Sequence, residues 1–129
     1  MSVERGPARR EVRVYLTLDD LGEKDRRRDH PRFKAEHIAH NVAVLGPIEE
    51  IAASKGCTPA QIALAWVLAK GEYIVPIPGS KRRDHLADNM AAVDIELDAG
   101  EIAALDSAAP PDFTAGDRYP PGQMRVVNA

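Results

Sequence analysis

An apolar run of strand length, Tyr73-Ile-Val-Pro-Ile77, passes into Pro78-Gly79 and then into the cluster Ser80-Lys81-Arg82. Such a run, bounded by turn residues, reads as a strand buried on both faces, the pattern of a parallel sheet. Parallel neighbours need long crossover connections, usually helices, and helical patterns flank the run on both sides. Such a strand between helical patterns is compatible with an α/β arrangement. The residues just after the run suit an anion. Backbone N–H groups at a helix start point outward, and the helix dipole favours negative charge there. Ser80 can donate a hydroxyl, and Lys81 and Arg82 can add charge-assisted hydrogen bonds. A phosphate-bearing cofactor is one reading of these residues, and a solvated basic turn after a strand is the other.

The rest of the chain is mostly helical in pattern. Residues 1–13 are rich in Arg, Glu, Gly and Pro and read as a loose arm. Val12, Val14 and Leu16 alternate with Arg13, Tyr15 and Thr17, a short period-two strand signal. Asp19 to Arg32 mixes acids and bases and reads as a charged loop. From Glu36 a helical period places Val44, Leu45, Ile48, Ile51 and Ala52 on one face. Gly46-Pro47 interrupts it, so a kink is expected, or two pieces with Pro47 first in the second. Gly56 ends that helix. Thr58-Pro-Ala-Gln61 has the form of a capping box with Pro59 at the first helical position. The helix after it carries Ile62, Leu64, Ala65, Trp66, Val67 and Leu68, apolar almost all round, which predicts burial on most faces. Trp66, among these neighbours, reads as a core residue. A helix is expected over Asp84 to Val93, and another from Asp98-Ala-Gly-Glu101 to about Ala108 with Ile102 and Leu105 inward. Pro110-Pro111 ends it and opens an irregular tail.

Composition narrows the classes. Apolar residues make up 44% and charged residues 29%, ordinary for a folded domain rather than a disordered chain. The net charge of −3 argues against a general nucleic-acid-binding surface. The single Cys57 excludes an internal disulfide, and no Cys/His spacing fits a zinc site. No apolar run reaches the ~18 residues of a membrane span, and the N-terminus has no apolar segment of a secretory signal. A cytoplasmic protein is the default expectation.

Across residues 15–128 the sequence resembles the aldo-keto reductases, NADP-dependent oxidoreductases built on a (β/α)8 barrel. The resemblance rests first on Ile77, Pro78, Gly79, Ser80, Lys81, Arg82, Leu86, Asp88 and Asn89, which match the family's last strand and following helix. It continues in Asp29-His-Pro-Arg-Phe33, Asn41, Thr58-Pro-Ala-Gln-Ile-Ala-Leu-Ala-Trp-Val-Leu-Ala69, Arg118-Tyr-Pro120 and Val127-Asn128. It implies that Ser80, Lys81 and Arg82, with Gly79 in the turn, hold the 2′-phosphate of NADPH. It implies that Asp88 and Asn89 lie at the adenine edge. Asp88 is one methylene shorter than the family's Glu, and His85 stands where many members have an Arg or another polar residue.

A full barrel takes about 250 residues, and this chain has 129. The resemblance therefore implies the C-terminal portion of a barrel: the end of strand 7, strand 8 and the last helices, mostly helical with one or two parallel strands. The expected division is an arm at 1–13, the partial barrel at 14–109 and the tail at 110–129. The family's catalytic Asp, Tyr, Lys and His belong to early strands, so no catalytic residue is expected here. A turn of the Ser-Pro-Leu-Gly type, part of the family's cofactor floor, is also missing. Two alternatives stand beside an NADPH-binding segment. One is a non-catalytic remnant, or one half of a split barrel whose partner chain supplies the missing strands. The other is a helix-turn-helix DNA binder, suggested by the rhythm of Ile51 to Ala65 but opposed by the apolar second helix, which leaves few side chains to read a groove.

Overall fold

The computed structural model describes residues 17–127. The arm at 1–13, the strand expected over Val12 to Leu16 and the closing Asn128 lie outside the described residues. Six α-helices follow one another among the described residues: α1 (Ala35–Val42), α2 (Leu45–Lys55), α3 (Pro59–Leu68), α4 (Arg83–Ala91), α5 (Ala99–Ala108) and the short α6 (Pro121–Met124).

Their ends follow local chemistry. The reciprocal box at α3 is formed: Gln61 N–H donates to Thr58 Oγ1 at 3.2 Å, and Thr58 N–H to Gln61 Oε1 at 2.9 Å. The box at α5 is formed in the same way between Asp98 and Glu101, with both bonds at 2.8 Å. Gly56 closes α2 in the left-handed region at φ 64. The break at Gly46-Pro47 gives two helices, but α2 begins at Leu45, with Pro47 third rather than first. All of the first turn lacks intrahelical N–H partners, so a proline there removes no helical bond. After α4 the chain tightens into a 3-10 turn over Ala92–Asp94, short of the single helix expected to Val93.

The core lies where α2, α3 and α5 meet. Ile48, Ala52, Ile62 and Leu105 are buried together, with Leu45, Ile51, Cys57, Trp66, Ile95 and Leu97 partly buried around them. Each fully buried Ile or Leu contributes about 1.5–3 kcal/mol of transfer free energy. Of α3, only Gln61, Ile62 and Ala65 are buried, and Val67 is exposed, so the helix is covered on one face rather than on most. Trp66 packs at the margin of the core, and its Nε1–H donates to Asp106 Oδ1 at 2.7 Å, tying α3 to α5. Lys70 pairs with the same carboxylate and lies 4.9 Å from the Trp66 ring centroid. Lys55 Nζ, at the end of α2, stands 3.0 Å from Glu101 at the start of α5.

No strand forms among the described residues. Tyr73-Ile-Val-Pro-Ile77, expected as a parallel strand, is irregular and exposed apart from the half-buried Pro76. A strand is a hydrogen-bonded pair by nature, and no main-chain partner for residues 75–79 occurs among the described residues. The residues are mostly helical, as expected of the segment, but the sheet is not assembled.

Two regions read as loops carry more order than their composition suggests. Asp19 to Arg32 contains 3-10 turns at Leu18–Asp20 and Arg26–Asp29, and a third follows at Pro31–Phe33. Arg28 Nη1 donates to the carbonyls of Leu18 at 2.8 Å and Leu21 at 2.6 Å, over the buried Leu21 side chain. The tail folds back on α1. Asn41 Nδ2 donates to the carbonyls of Ala115 and Arg32, both at 2.9 Å, and Ala115 N–H donates to Asn41 Oδ1 at 2.7 Å. His40 Nε2 reaches the Phe113 carbonyl at 2.7 Å, His30 Nδ1 the Arg118 carbonyl at 3.2 Å, and Arg32 Nε–H the Gly116 carbonyl at 3.3 Å.

Candidate functional site

The site begins at the N-terminus of α4. Arg82 is the N-cap, with extended φ and ψ, and the first intrahelical bond runs from Leu86 N–H to Arg82 O at 3.0 Å. The helix therefore opens at Arg83, one residue before the expected Asp84, and Ser80, Lys81 and Arg82 lie just outside it. The N–H groups of the first helical turn have no intrahelical partner and carry the positive end of the dipole.

Ser80, Lys81 and Arg82 are all exposed. The Ser80 hydroxyl donates to the Arg82 carbonyl at 2.9 Å, which holds the turn closed on itself. Lys81 has no hydrogen-bond or ion-pair partner among the described residues. Arg82 is engaged: Nε–H donates to Asp84 Oδ1 at 2.9 Å and Nη2–H to Asp84 Oδ2 at 2.5 Å, a two-pronged pair. The hydrogen bonds from Arg82, helped by the His85 backbone N–H, lower the Asp84 carboxyl to about 2. The same pairing raises Arg82 above its ordinary value. Asp84 is the residue that sequence reasoning passed over. An acid two positions after Arg82 is visible in the sequence, but that it would take both prongs of the guanidinium is not.

Gly79 sits in open space. A Cβ there would meet nothing within 4 Å, so nothing else among the described residues requires glycine at this position. Asp88 and Asn89 lie further along α4, Asp88 six residues past the N-cap, about 9 Å along the axis at ~1.5 Å per residue. The Asp88 side chain is exposed and Asn89 is half-buried. The Asp88 carbonyl accepts from Gln61 Nε2 at 2.9 Å. Ala92 N–H, the ordinary helical donor to that carbonyl, bonds to Asn89 instead as the helix tightens. Gln61 thus caps α3 with its oxygen and secures α4 with its nitrogen, which explains a buried polar side chain in the core.

The structure brings Ser80, Lys81 and Arg82 together at one helix end and places Asp88 and Asn89 on the same helix. Two cations, a hydroxyl and first-turn N–H groups fit a phosphate dianion, provided that Arg82 exchanges the Asp84 carboxylate for it. Nothing covers these residues, and no wall for a sugar or a base faces them within the described residues. No His/Cys/Asp/Glu group suited to a metal occurs among the described residues, and no helix there is long and apolar enough to cross a membrane.

Comparison with known proteins supplies the context. An aldo-keto reductase of Schizosaccharomyces pombe named yakc [NADP(+)] is 39% identical over 109 residues, covering 84% of this chain. The chain spans only 32% of that relative's length. The profile of the Aldo/keto reductase family matches residues 15–110, which include α1 to α5 and the whole Ser80–Asn89 site. On that match and that identity, the chain belongs to the aldo/keto reductase family.

Proposed function

We propose that this chain is the C-terminal portion of an NADP-dependent aldo-keto reductase barrel, contributing the grip on the cofactor's 2′-phosphate and no catalytic residue of its own. The observation that carries the reading is the exposed Ser80-Lys81-Arg82 turn at the mouth of α4, with Lys81 unpaired among the described residues. Gly79 leaves the approach open. Lys81 contributes a point charge, Arg82 a planar fork that matches a phosphate, and Ser80 a hydroxyl. Asp88 and Asn89 face the adenine. When bound, NADPH supplies the hydride, and the acid that protonates the carbonyl oxygen belongs to residues outside this chain. The name of the Schizosaccharomyces pombe relative, which includes NADP(+), supports the choice of cofactor.

Calorimetric titration of the chain with NADPH, and with NADH as control, tests the reading. Saturable binding that prefers NADPH is expected. Replacing Lys81 and Arg82 by alanine should cut NADPH affinity at least tenfold and leave NADH nearly unchanged, because only NADPH carries the 2′-phosphate. Equal losses for both would remove the assigned role. Turnover of an aldehyde with NADPH should stay at background, and robust turnover would overturn the proposed division of labour.

A second reading, one part of a split barrel, is favoured by the unpaired apolar run at 73–77. It is compatible with the first and adds that the cofactor site is completed by another polypeptide. The DNA-binding reading loses its recognition helix: α3 buries Ile62 and Ala65, and the Trp66 indole is bound to Asp106.

A further inference from the structure

Arg83 is none of the residues that the family resemblance assigns to the phosphate, yet it adjoins them. It is the first residue of α4, directly after the N-cap Arg82. It is exposed, and its side chain has no hydrogen-bond or ion-pair partner among the described residues. The charges at this helix end divide into two sets. Arg82 and Asp84 face each other through Nε and Oδ1 at 2.9 Å and Nη2 and Oδ2 at 2.5 Å, so the two charges offset each other. Lys81 and Arg83 stand on either side of Arg82 in the chain, and neither has an ion-pair partner among the described residues. The positive field at the mouth of α4 is therefore chiefly that of Lys81 and Arg83, added to the positive end of the helix dipole. A phosphate monoester carries about −1.5 to −2 charges at neutral pH. Two cations without counter-charges match it, and the Arg82–Asp84 pair need not break first.

We propose that Arg83 is a further, specificity-determining ligand of the 2′-phosphate of NADPH, acting with Lys81 while Arg82 is held by Asp84. The proposal rests on reading this turn as an NADP site, and it adds a residue to that site. Arg83 brings a planar fork of donors, none of them used among the described residues. Arg82 has its Nε–Nη2 edge against Asp84 and offers that edge to a phosphate only after exchange. Parting a two-pronged charged pair carries a cost that Arg83 does not bear. Lys81 and Arg83 thus hold the phosphate whether or not Arg82 exchanges its partner, and Arg82 adds to the grip when it does.

Calorimetric titration with NADPH and with NADH tests the proposal on the full chain, on Arg83→Ala and on Arg83→Lys. Position 83 is exposed, and far-UV circular dichroism with Trp66 fluorescence verifies that each variant keeps its fold. Arg83→Ala should bind NADPH about five- to tenfold more weakly, the scale of one charge-assisted contact near a surface, with NADH nearly unchanged. Arg83→Lys should recover part of that loss, because the charge remains and the fork is gone. In the Asp84→Asn chain, where Arg82 is free to take the phosphate, adding Arg83→Ala should cost less than in the wild-type chain. An equal cost in both backgrounds would overturn the stated division between Arg82 and Arg83. An NADPH preference that survives Arg83→Ala undiminished, beside a loss when Lys81 and Arg82 are both replaced by alanine, would overturn the role of Arg83 and leave the cofactor site in place. Equal weakening of NADPH and NADH by Arg83→Ala would overturn that role as well. No NADPH preference in the wild-type chain would overturn the site itself, and the role of Arg83 with it.

Discussion

Asn41 pairs with Ala115 as one residue of a ladder pairs with another. Its amide oxygen accepts from the Ala115 N–H and its amide nitrogen donates back to the Ala115 carbonyl. The tail can come this close only because residue 116 has no side chain. Gly116 is left-handed at φ 85, and a Cβ there would stand 2.8 Å from His37 Cδ2, 3.0 Å from the Pro31 carbonyl carbon and 3.1 Å from Arg32 N. Two of those atoms are backbone and cannot swing away. Gly116→Ala therefore combines an unfavourable φ with a steric clash, and should cost about 1–3 kcal/mol. The loss should be read as a lower midpoint in urea, together with faster proteolysis between residues 112 and 120. An unchanged midpoint would mean that the tail contributes nothing to stability. Sequence patterns give no hint of this clamp. Its partners are some 74 positions apart, and an asparagine bonded to a distant backbone leaves no periodic trace.

At the scale of the element, the starts of α3 and α5 were legible because a capping box is written within four consecutive residues: Thr58 to Gln61, and Asp98 to Glu101. The start of α4, expected at Asp84, falls at Arg83, but the Arg82–Asp84 pair beside it was not legible, because it depends on rotamers rather than on residue type. That pair sets the state of the candidate site. The folded-state carboxyl of Asp84 lies at about 2, below the ordinary 3.8. Its favourable contribution is thus complete above the unfolded value and is lost as pH falls through about 2. Near neutral pH the carboxylate is ionised and stands paired with Arg82. Asp84→Asn should free the guanidinium and remove a negative charge from the helix end that would face a phosphate. On the scale of charge effects at helix termini, NADPH affinity should rise about two- to fivefold. The measurement is the same calorimetric titration, with NADH showing a smaller change. Weaker NADPH binding by Asp84→Asn would mean that the pair holds Arg82 in its binding geometry and does not withhold it.

At the scale of the whole molecule, the helical share of the fold was readable and the sheet was not, and the difference is one of locality. A helix satisfies its own backbone within four residues, whereas a strand needs a neighbour that can be distant in sequence, and none pairs with the run at 73–77 among the described residues. The apolar content that suggested a strand is the same surface that stands exposed. What remains is a small core centred on Ile62 and Leu105, the two largest side chains that are fully buried. Leu105 is the contribution of α5 to the cluster, facing Ile48 and Ala52 of α2 and Ile62 of α3. Truncating a buried leucine to alanine costs about 2–5 kcal/mol, and the stability of ordinary domains totals only about 5–15 kcal/mol. A chain with most of its 73–77 apolar run exposed has little in reserve. Leu105→Ala should abolish the cooperative urea transition of Trp66 fluorescence, because α5 loses its hold on α2 and α3 together. Leu105→Met conserves volume and should cost less than about 1.5 kcal/mol, leaving the transition intact. If the Leu105→Ala chain instead unfolds with the wild-type midpoint, the α2–α3–α5 cluster is not what holds the chain together.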